Sequence, residues 1–152
     1  MKLSTLYLTV AFFTLVSPLF GLNIYWTGNA GDDDWFNIQN WNPQQLPSAS
    51  DTAIFGNPPI GHTVEIHNAN ATCQKLVIGG TGYTLEITGN ATLNIIGDLM
   101  CAASNTVYNR AELVVGETFD LHGYLDNNFG SNLEVNTLLH IWADGSLSTS
   151  GN

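Results

Sequence analysis

Tyr83-Thr84-Leu85-Glu86-Ile87-Thr88 alternates apolar and polar side chains without a break. Successive side chains of a β-strand point to opposite sides, so Leu85 and Ile87 face one way and Thr84, Glu86 and Thr88 the other. The L-E-I triplet has relatives in V-E-I at 64–66, L-V-V at 113–115 and L-E-V at 133–135. In chain order the triplets start at Val64, Leu85, Leu113 and Leu133; the first and last intervals are nearly equal and the middle one is longer. A second strand-like run follows the last three, at 91–96, 117–121 and 137–142. Each unit reads as strand, small or polar turn, strand, turn. A short period of this kind with no helical spacing marks a stacked β-solenoid, in which each unit buries its apolar side only against its neighbours. The expected fold class is all-β: a parallel β-solenoid (β-helix) of about four coils with an aromatic-rich N-terminal cap.

The same alternation puts Val64 and Ile66, Leu93 and Ile95, Leu113 and Val115, Phe119 and Leu121, Leu133 and Val135, and Leu139 and Ile141 inside the coils. Glycines punctuate the expected corners. The one long interval, from Leu85 to Leu113, reads as an insertion of about eight residues between Cys101 and Arg110 that projects from the stack as a loop.

The remaining chain divides in two. Residues 1–21 combine Lys2, an apolar run from Leu6 to Val16, a break at Ser17-Pro18 and a small residue at Gly21, which is the pattern of a secretory signal peptide. Residues 22–62 hold three of the four tryptophans and four of the five prolines. A stack needs an atypical first unit, because its first coil has no neighbour on one side; 22–62 is therefore the expected cap and 63–152 the repeats. The C-terminal coil shows no cap in the sequence, which points to truncation or to self-association through an open coil.

Without residues 1–21 the chain keeps two basic side chains, Lys75 and Arg110, against 13 acids, a formal net charge of −11. Such a surface does not neutralise phosphates, which argues against nucleic acid and anionic membranes as partners. No second apolar run is long enough to insert the mature chain in a membrane.

The opening segment carries a resemblance. Trp26-Thr27-Gly28, Trp35, Asn40-Trp41, Pro47 and Asp51-Thr52-Ala53-Ile54-Phe55 resemble the mature N-terminus of secreted β-solenoid surface proteins of the autotransporter-passenger kind, which reads W-x-G, W, N-W, P and D-x-A-x-F. A weaker similarity is to amnionless-type extracellular segments. The resemblance implies a secreted or cell-surface solenoid and says nearly nothing about chemistry.

Candidate sites follow from residue type and compartment. Cys73 and Cys101 in an oxidising context are expected to form a disulfide closing a loop of about 29 residues; two free buried thiols are the alternative. Asn70-Ala71-Thr72 and Asn90-Ala91-Thr92, one repeat apart, read as N-glycosylation sequons on one edge of the stack in a eukaryotic source and as turn asparagines in a bacterial one. Trp26, Trp35 and Trp41 are a candidate carbohydrate or partner surface, although an end cap accounts for them without a ligand. Asp32-Asp33-Asp34 offers oxygen ligands to a hard cation, but three adjacent carboxylates do not converge unaided. Asp120, Asp126 and Asp144 fall at turns or strand ends of successive coils, where paired carboxylates would suit glycoside hydrolysis; exposed turn residues are the simpler reading. His122 and His140 are placed on adjacent coils with Asp120 alongside. No catalytic, cofactor or metal motif is expected.

The sequence therefore favours a secreted, non-catalytic β-solenoid with a structural or adhesive role, whose partner is a protein or glycan at an extracellular surface. The alternatives are an N-terminal fragment of a polysaccharide-active β-helix enzyme and an amnionless-like segment that docks another protein.

Overall fold

The computed structural model describes residues 21–56, 61–128 and 130–149. The expected signal peptide lies outside these residues except for Gly21. The chain opens with β1 (Asn23–Trp26), the short β2 (Trp41–Asn42) and β3 (Thr52–Phe55). It then winds in coils of three strands. These are β4 (Thr63–His67), β5 (Ala71–Cys73) and β6 (Lys75–Ile78); β7 (Thr84–Thr88), β8 (Thr92–Ile95) and β9 (Leu99–Cys101); β10 (Thr106–Asn109), β11 (Glu112–Val115) and β12 (Thr118–Leu121); and β13 (Tyr124–Asn127), β14 (Asn132–Val135) and β15 (Leu138–Ile141). β16 (Ser146–Thr149) begins a further turn.

Equivalent strands stack in parallel and make three faces. The first face is β4-β7-β10-β13-β16, the second β5-β8-β11-β14 and the third β3-β6-β9-β12-β15. The third face is extended at its N-terminal edge by β1, parallel to β3, and by β2, antiparallel to β1. The cap and the repeats thus share one sheet, and β3 is already a rung of the stack. The all-β solenoid of about four coils is the architecture expected from the alternation.

The internal register corrects the reading of the repeats. On the first face Val64 lies beside Leu85, Leu85 beside Val107, Val107 beside Leu125 and Leu125 beside Leu147, each step being one coil. Leu113 and Leu133 belong instead to the second face, in register behind Leu93. The four similar triplets therefore come from two faces, and each coil has three strands rather than two. The stretch expected to project as an inserted loop contains β10, a full rung of the first face. It escapes the alternation rule because β10 reads Thr-Val-Tyr-Asn and its second inward residue is Asn109, which stacks beside Ile87.

Buried polar residues brace the corners. Asn109 donates from Nδ2 to Asn127 Oδ1 and to the Asn132 carbonyl, both at 2.7 Å. Asp51 accepts from the Leu22 amide at 2.8 Å and the Ser48 amide at 2.9 Å, and also from the Ser48 hydroxyl. Left without these hydrogen bonds in an apolar interior, such groups would cost stability.

Aromatic rings close the N-terminal end. Trp26, Trp35 and Trp41 are each only 1% exposed. Trp41 meets Trp26 edge-on at 5.0 Å and Trp35 at 4.8 Å, and Trp41 Nε1 donates to the Trp35 carbonyl at 2.8 Å. This corrects the candidate surface at Trp26, Trp35 and Trp41: their rings cover the first coil and offer no platform to a ligand.

The expected disulfide is also corrected. Cys73 and Cys101 are free, buried thiols. Cys73 points inward from β5 beside Ile95 on the second face, whereas Cys101 points inward from β9 on the third face between Ile78 and Leu121. They occupy different interior columns and serve as small apolar core residues. Burial raises both thiols to about 12; the negative charge of Asp51 adds to the effect at Cys73, and a backbone hydrogen bond from Gly123 opposes it at Cys101.

Candidate functional site: the outer side of the third face

Register fixes which side chains meet on the outside of the third face. Tyr25 lies beside Ile54, Ile54 beside Val77, Val77 beside Met100, Met100 beside Asp120 and Asp120 beside His140. The inward residues of the same strands, such as Ala53, Leu76, Leu99 and Phe119, fill the core. The first four outward residues are apolar and half-buried, and the last two are charged or titratable.

A second column runs alongside. The ladder continues one residue beyond the named strands: the Gly79 amide donates to the Phe55 carbonyl at 2.8 Å, Ala102 to Ile78 at 2.9 Å, His122 to Cys101 at 2.8 Å and Trp142 to Leu121 at 3.0 Å. Gly56, Gly79 and Ala102 therefore precede His122 and Trp142. A methyl group placed on Gly79 would lie 3.5 Å from Val77 Cγ1 and 4.0 Å from Met100 Cε, so this bare column borders the apolar one.

At the C-terminal end the surface rises into a polar-aromatic cluster. His122 Nδ1 hydrogen-bonds Asp144 Oδ1 at 3.0 Å, and His140 Nδ1 hydrogen-bonds Asp120 Oδ1 at 3.2 Å. Trp142 Nε1 donates to the same Asp120 oxygen at 3.4 Å. The Trp142 and His122 rings stack at 4.9 Å, 11° from parallel, and the His140 ring meets Trp142 edge-on at 5.8 Å. An open hollow of about 150 Å³ is lined by His140, Ile141 and Trp142. Trp142 is 49% exposed, in contrast to the three cap tryptophans.

The sequence brought His122, His140 and Asp120 together; it missed Trp142 and Asp144 as their partners. The pairing step of one coil, which sets Asp120 beside His140, was the signal that links them. Asp120 and Asp126 are the next-to-last residues of β12 and β13, and Asp126 belongs to the first face, so the three acids do not form one group. Among the described residues no three His, Cys, Asp or Glu side chains are arranged to hold a metal ion.

The other candidates disperse over the molecule. Asp32 accepts from Asn37 Nδ2 and Asn40 Nδ2, both at 2.6 Å, and these bonds hold its carboxyl below the ordinary value of 3.8. The Asp33 carbonyl accepts from the Glu65 amide at 2.8 Å, which docks this loop on β4. The acidic run is thus a brace of the cap. Asn70 and Asn90 are both exposed at the corner between the first and second faces. Their register differs by two residues: Asn70 Oδ1 accepts from the Thr92 amide at 3.1 Å, while the Asn90 amide donates to Asn68 Oδ1 at 3.2 Å. Lys75 pairs with Asp98 at 3.0 Å, and the Arg110 guanidinium lies 5.3 Å from the centre of the Tyr108 ring.

Comparison with protein-family models, with curated proteins and with solved structures finds no match to this chain.

Proposed function

We propose that this chain is a secreted or cell-surface β-solenoid module with a non-catalytic, structural or adhesive role, acting through its outer faces on a protein or glycan partner. The observation that carries the reading is the division of labour between the two sides of each strand. Inward side chains fill the coils, as in Leu85, Leu93 and Leu99, all fully buried. The titratable side chains of the third face stand outside and pair across adjacent coils, as in His140 with Asp120. A filled stack offers extended flat surfaces to a partner. The acidic balance of 13 acids to three basic residues supports an extracellular surface and disfavours nucleic acid. The exposed sequons at Asn70 and Asn90 support the glycoprotein reading in a eukaryotic secretory pathway.

Expression of the full chain in a secretory host tests this. The expected outcome is a chain in the medium or on the cell surface that begins at Leu22 and is retained on cells by a saturable interaction. Retention of the whole chain in the cytosol with an unprocessed Met1 would refute it.

A further inference from the structure

We propose that the outer side of the third face docks an extended protein segment whose apolar side chains lie over Tyr25, Ile54, Val77 and Met100 and whose Lys or Arg side chain lies against Asp120, Asp144 and Trp142. The inference rests on the surface-binding reading above and adds the face, the direction and the chemistry of the partner.

The apolar column has no role in the core, since the coil interior is filled from the other side of the same strands. The equivalent outward column of the first face shows what a solvated face of this stack looks like: Glu65, Glu86, Tyr108, Asp126 and Ser148, in register. Two faces with the same backbone therefore differ in the chemistry of their outward columns, and the difference is an apolar strip. Contiguous apolar strips rimmed by polar residues mark interaction surfaces. With a rung spacing of about 4.8 Å, the strip from Tyr25 to Met100 is about 14 Å long and the whole column to His140 about 24 Å, the reach of roughly seven or eight extended residues.

The flank of the strip is low. Gly56, Gly79 and Ala102 raise little or no side chain beside Ile54, Val77 and Met100, so a backbone can approach the sheet closely. The far end is walled by Trp142, whose ring is half-exposed, and carries Asp120 and Asp144.

Charge selects the occupant. The chain has 13 acids and three basic residues, and Lys75, the first residue of β6 on this face, is engaged by Asp98 at 3.0 Å. A basic partner is attracted and an anionic lipid surface repelled. An ammonium or guanidinium group suits an exposed indole beside carboxylates, through cation–π attraction and charge-assisted hydrogen bonds. Aliphatic Ile54, Val77 and Met100 favour a peptide over a saccharide, which seeks flat rings and hydrogen-bonding groups along its length.

The test uses the full chain and two synthetic octapeptides of alternating Leu and Ala, one ending in Lys-Lys and one in Glu-Glu, with affinity read from calorimetry and Trp142 fluorescence. The Lys-ended peptide should bind at least ~10-fold more tightly than the Glu-ended one, a difference of about 1.4 kcal/mol. Val77→Asp and Met100→Asp should abolish binding. Asp120→Asn should weaken it and flatten its dependence on salt, while Glu65→Gln on the first face should leave it unchanged. Val77→Thr, which keeps a β-branched side chain in the strand, guards against loss of folding and should also weaken binding. Equal binding of both peptides, equal effects of Glu65→Gln and Asp120→Asn, or preference for a β-glucan oligosaccharide over the Lys-ended peptide would each overturn the inference. Retention of the chain on cells, unaltered by Val77→Thr and Asp120→Asn, would overturn this face as the docking site and leave the surface-binding reading intact.

Discussion

Asn105 takes the amide hydrogen of Tyr83: its Oδ1 accepts from Tyr83 N at 3.0 Å across the corner between two coils. Its Nδ2 lies within donor distance of the Gly80 carbonyl at 2.8 Å, the Ala102 carbonyl at 3.0 Å and the Ile78 carbonyl at 3.2 Å. One buried carboxamide thus ties the corner that leads into β7 to the corner that leads into β10. Replacing it by alanine leaves buried backbone groups unpartnered, at about 1–3 kcal/mol for each group left unsatisfied. Asn105→Ala should therefore lower the unfolding free energy by about 2–4 kcal/mol. Asn94→Ala on the exposed second face should stay within about 0.5 kcal/mol of the parent in urea titrations.

The coil interior sets a second contrast. Leu85 is fully buried and its neighbour Glu86 faces outward. Leu85→Ala should cost about 2–5 kcal/mol, because the fixed neighbours Val64 and Val107 cannot collapse into the cavity. Glu86→Ala should be nearly silent. Circular dichroism melts of the two variants check the facing assignment.

Neither cysteine should react while the chain is folded. Burial raises both thiols to about 12, so the thiolate that attacks iodoacetamide is scarce in mildly alkaline buffer. Mass spectrometry without reductant should find both thiols unmodified in native buffer, both alkylated in concentrated guanidinium and no Cys73–Cys101 peptide pair.

The cap should loosen in acid. Burial raises the Asp51 carboxyl, but hydrogen bonds from the Ser48 side chain and from the Leu22 and Ser48 amides outweigh it and leave the group below its ordinary 3.8. Asp32 and Glu112 are lowered as well, Glu112 by Thr92 and Asn132. A group whose carboxyl is lowered on folding contributes its full stability above the unfolded value, and that contribution is lost as pH falls through the folded value. Thermal stability should be level above about pH 5 and fall as pH drops below about 4. Asp51→Asn should lower the plateau and shrink the acid-dependent loss.

Tryptophan emission should report on one residue. Trp142 is 49% exposed and the cap tryptophans 1%. Acrylamide should quench one emission component readily, and Trp142→Phe should remove that component alone.

The architecture was legible because parallel rungs repeat the same inward spacing, and Leu85, Leu93 and Leu113 announce it in plain alternation. The count of strands per coil was not. Val64 and Leu85 resemble Leu113 and Leu133 in residue type, but the register places them on different faces. An inward Asn109 broke the pattern in β10, so a full rung read as a loop. Compartment argued for a disulfide, whereas Cys73 and Cys101 are held apart by inward positions on different sheets. The tryptophans of the opening segment are legible equally as lid or platform, and only their burial separates the two. The cluster around Asp120 was half visible: residue types gave two histidines and an acid, but Trp142 and Asp144 join them only when the stack folds one coil over the next.

The Trp142 cluster sits on the part of the stack with the least cover. Leu133, Val135, Leu139 and Leu147 are only partly buried, while Leu113, Val115, Phe119 and Leu125 one coil earlier are fully buried. Stability in a stack is close to a sum over neighbouring coils, so local opening is easiest where the inward residues of a coil are least covered. Amides of β14 to β16 should then exchange with deuterium sooner than those of β7 to β9. Any molecule gripping Trp142, Asp120 and Asp144 clasps two successive coils together, and its binding free energy is added to the pairing between them. Occupancy of that corner and order in the coil of β13 to β15 are thus a single equilibrium, and slower exchange in β15 would register a bound partner before the partner itself is identified.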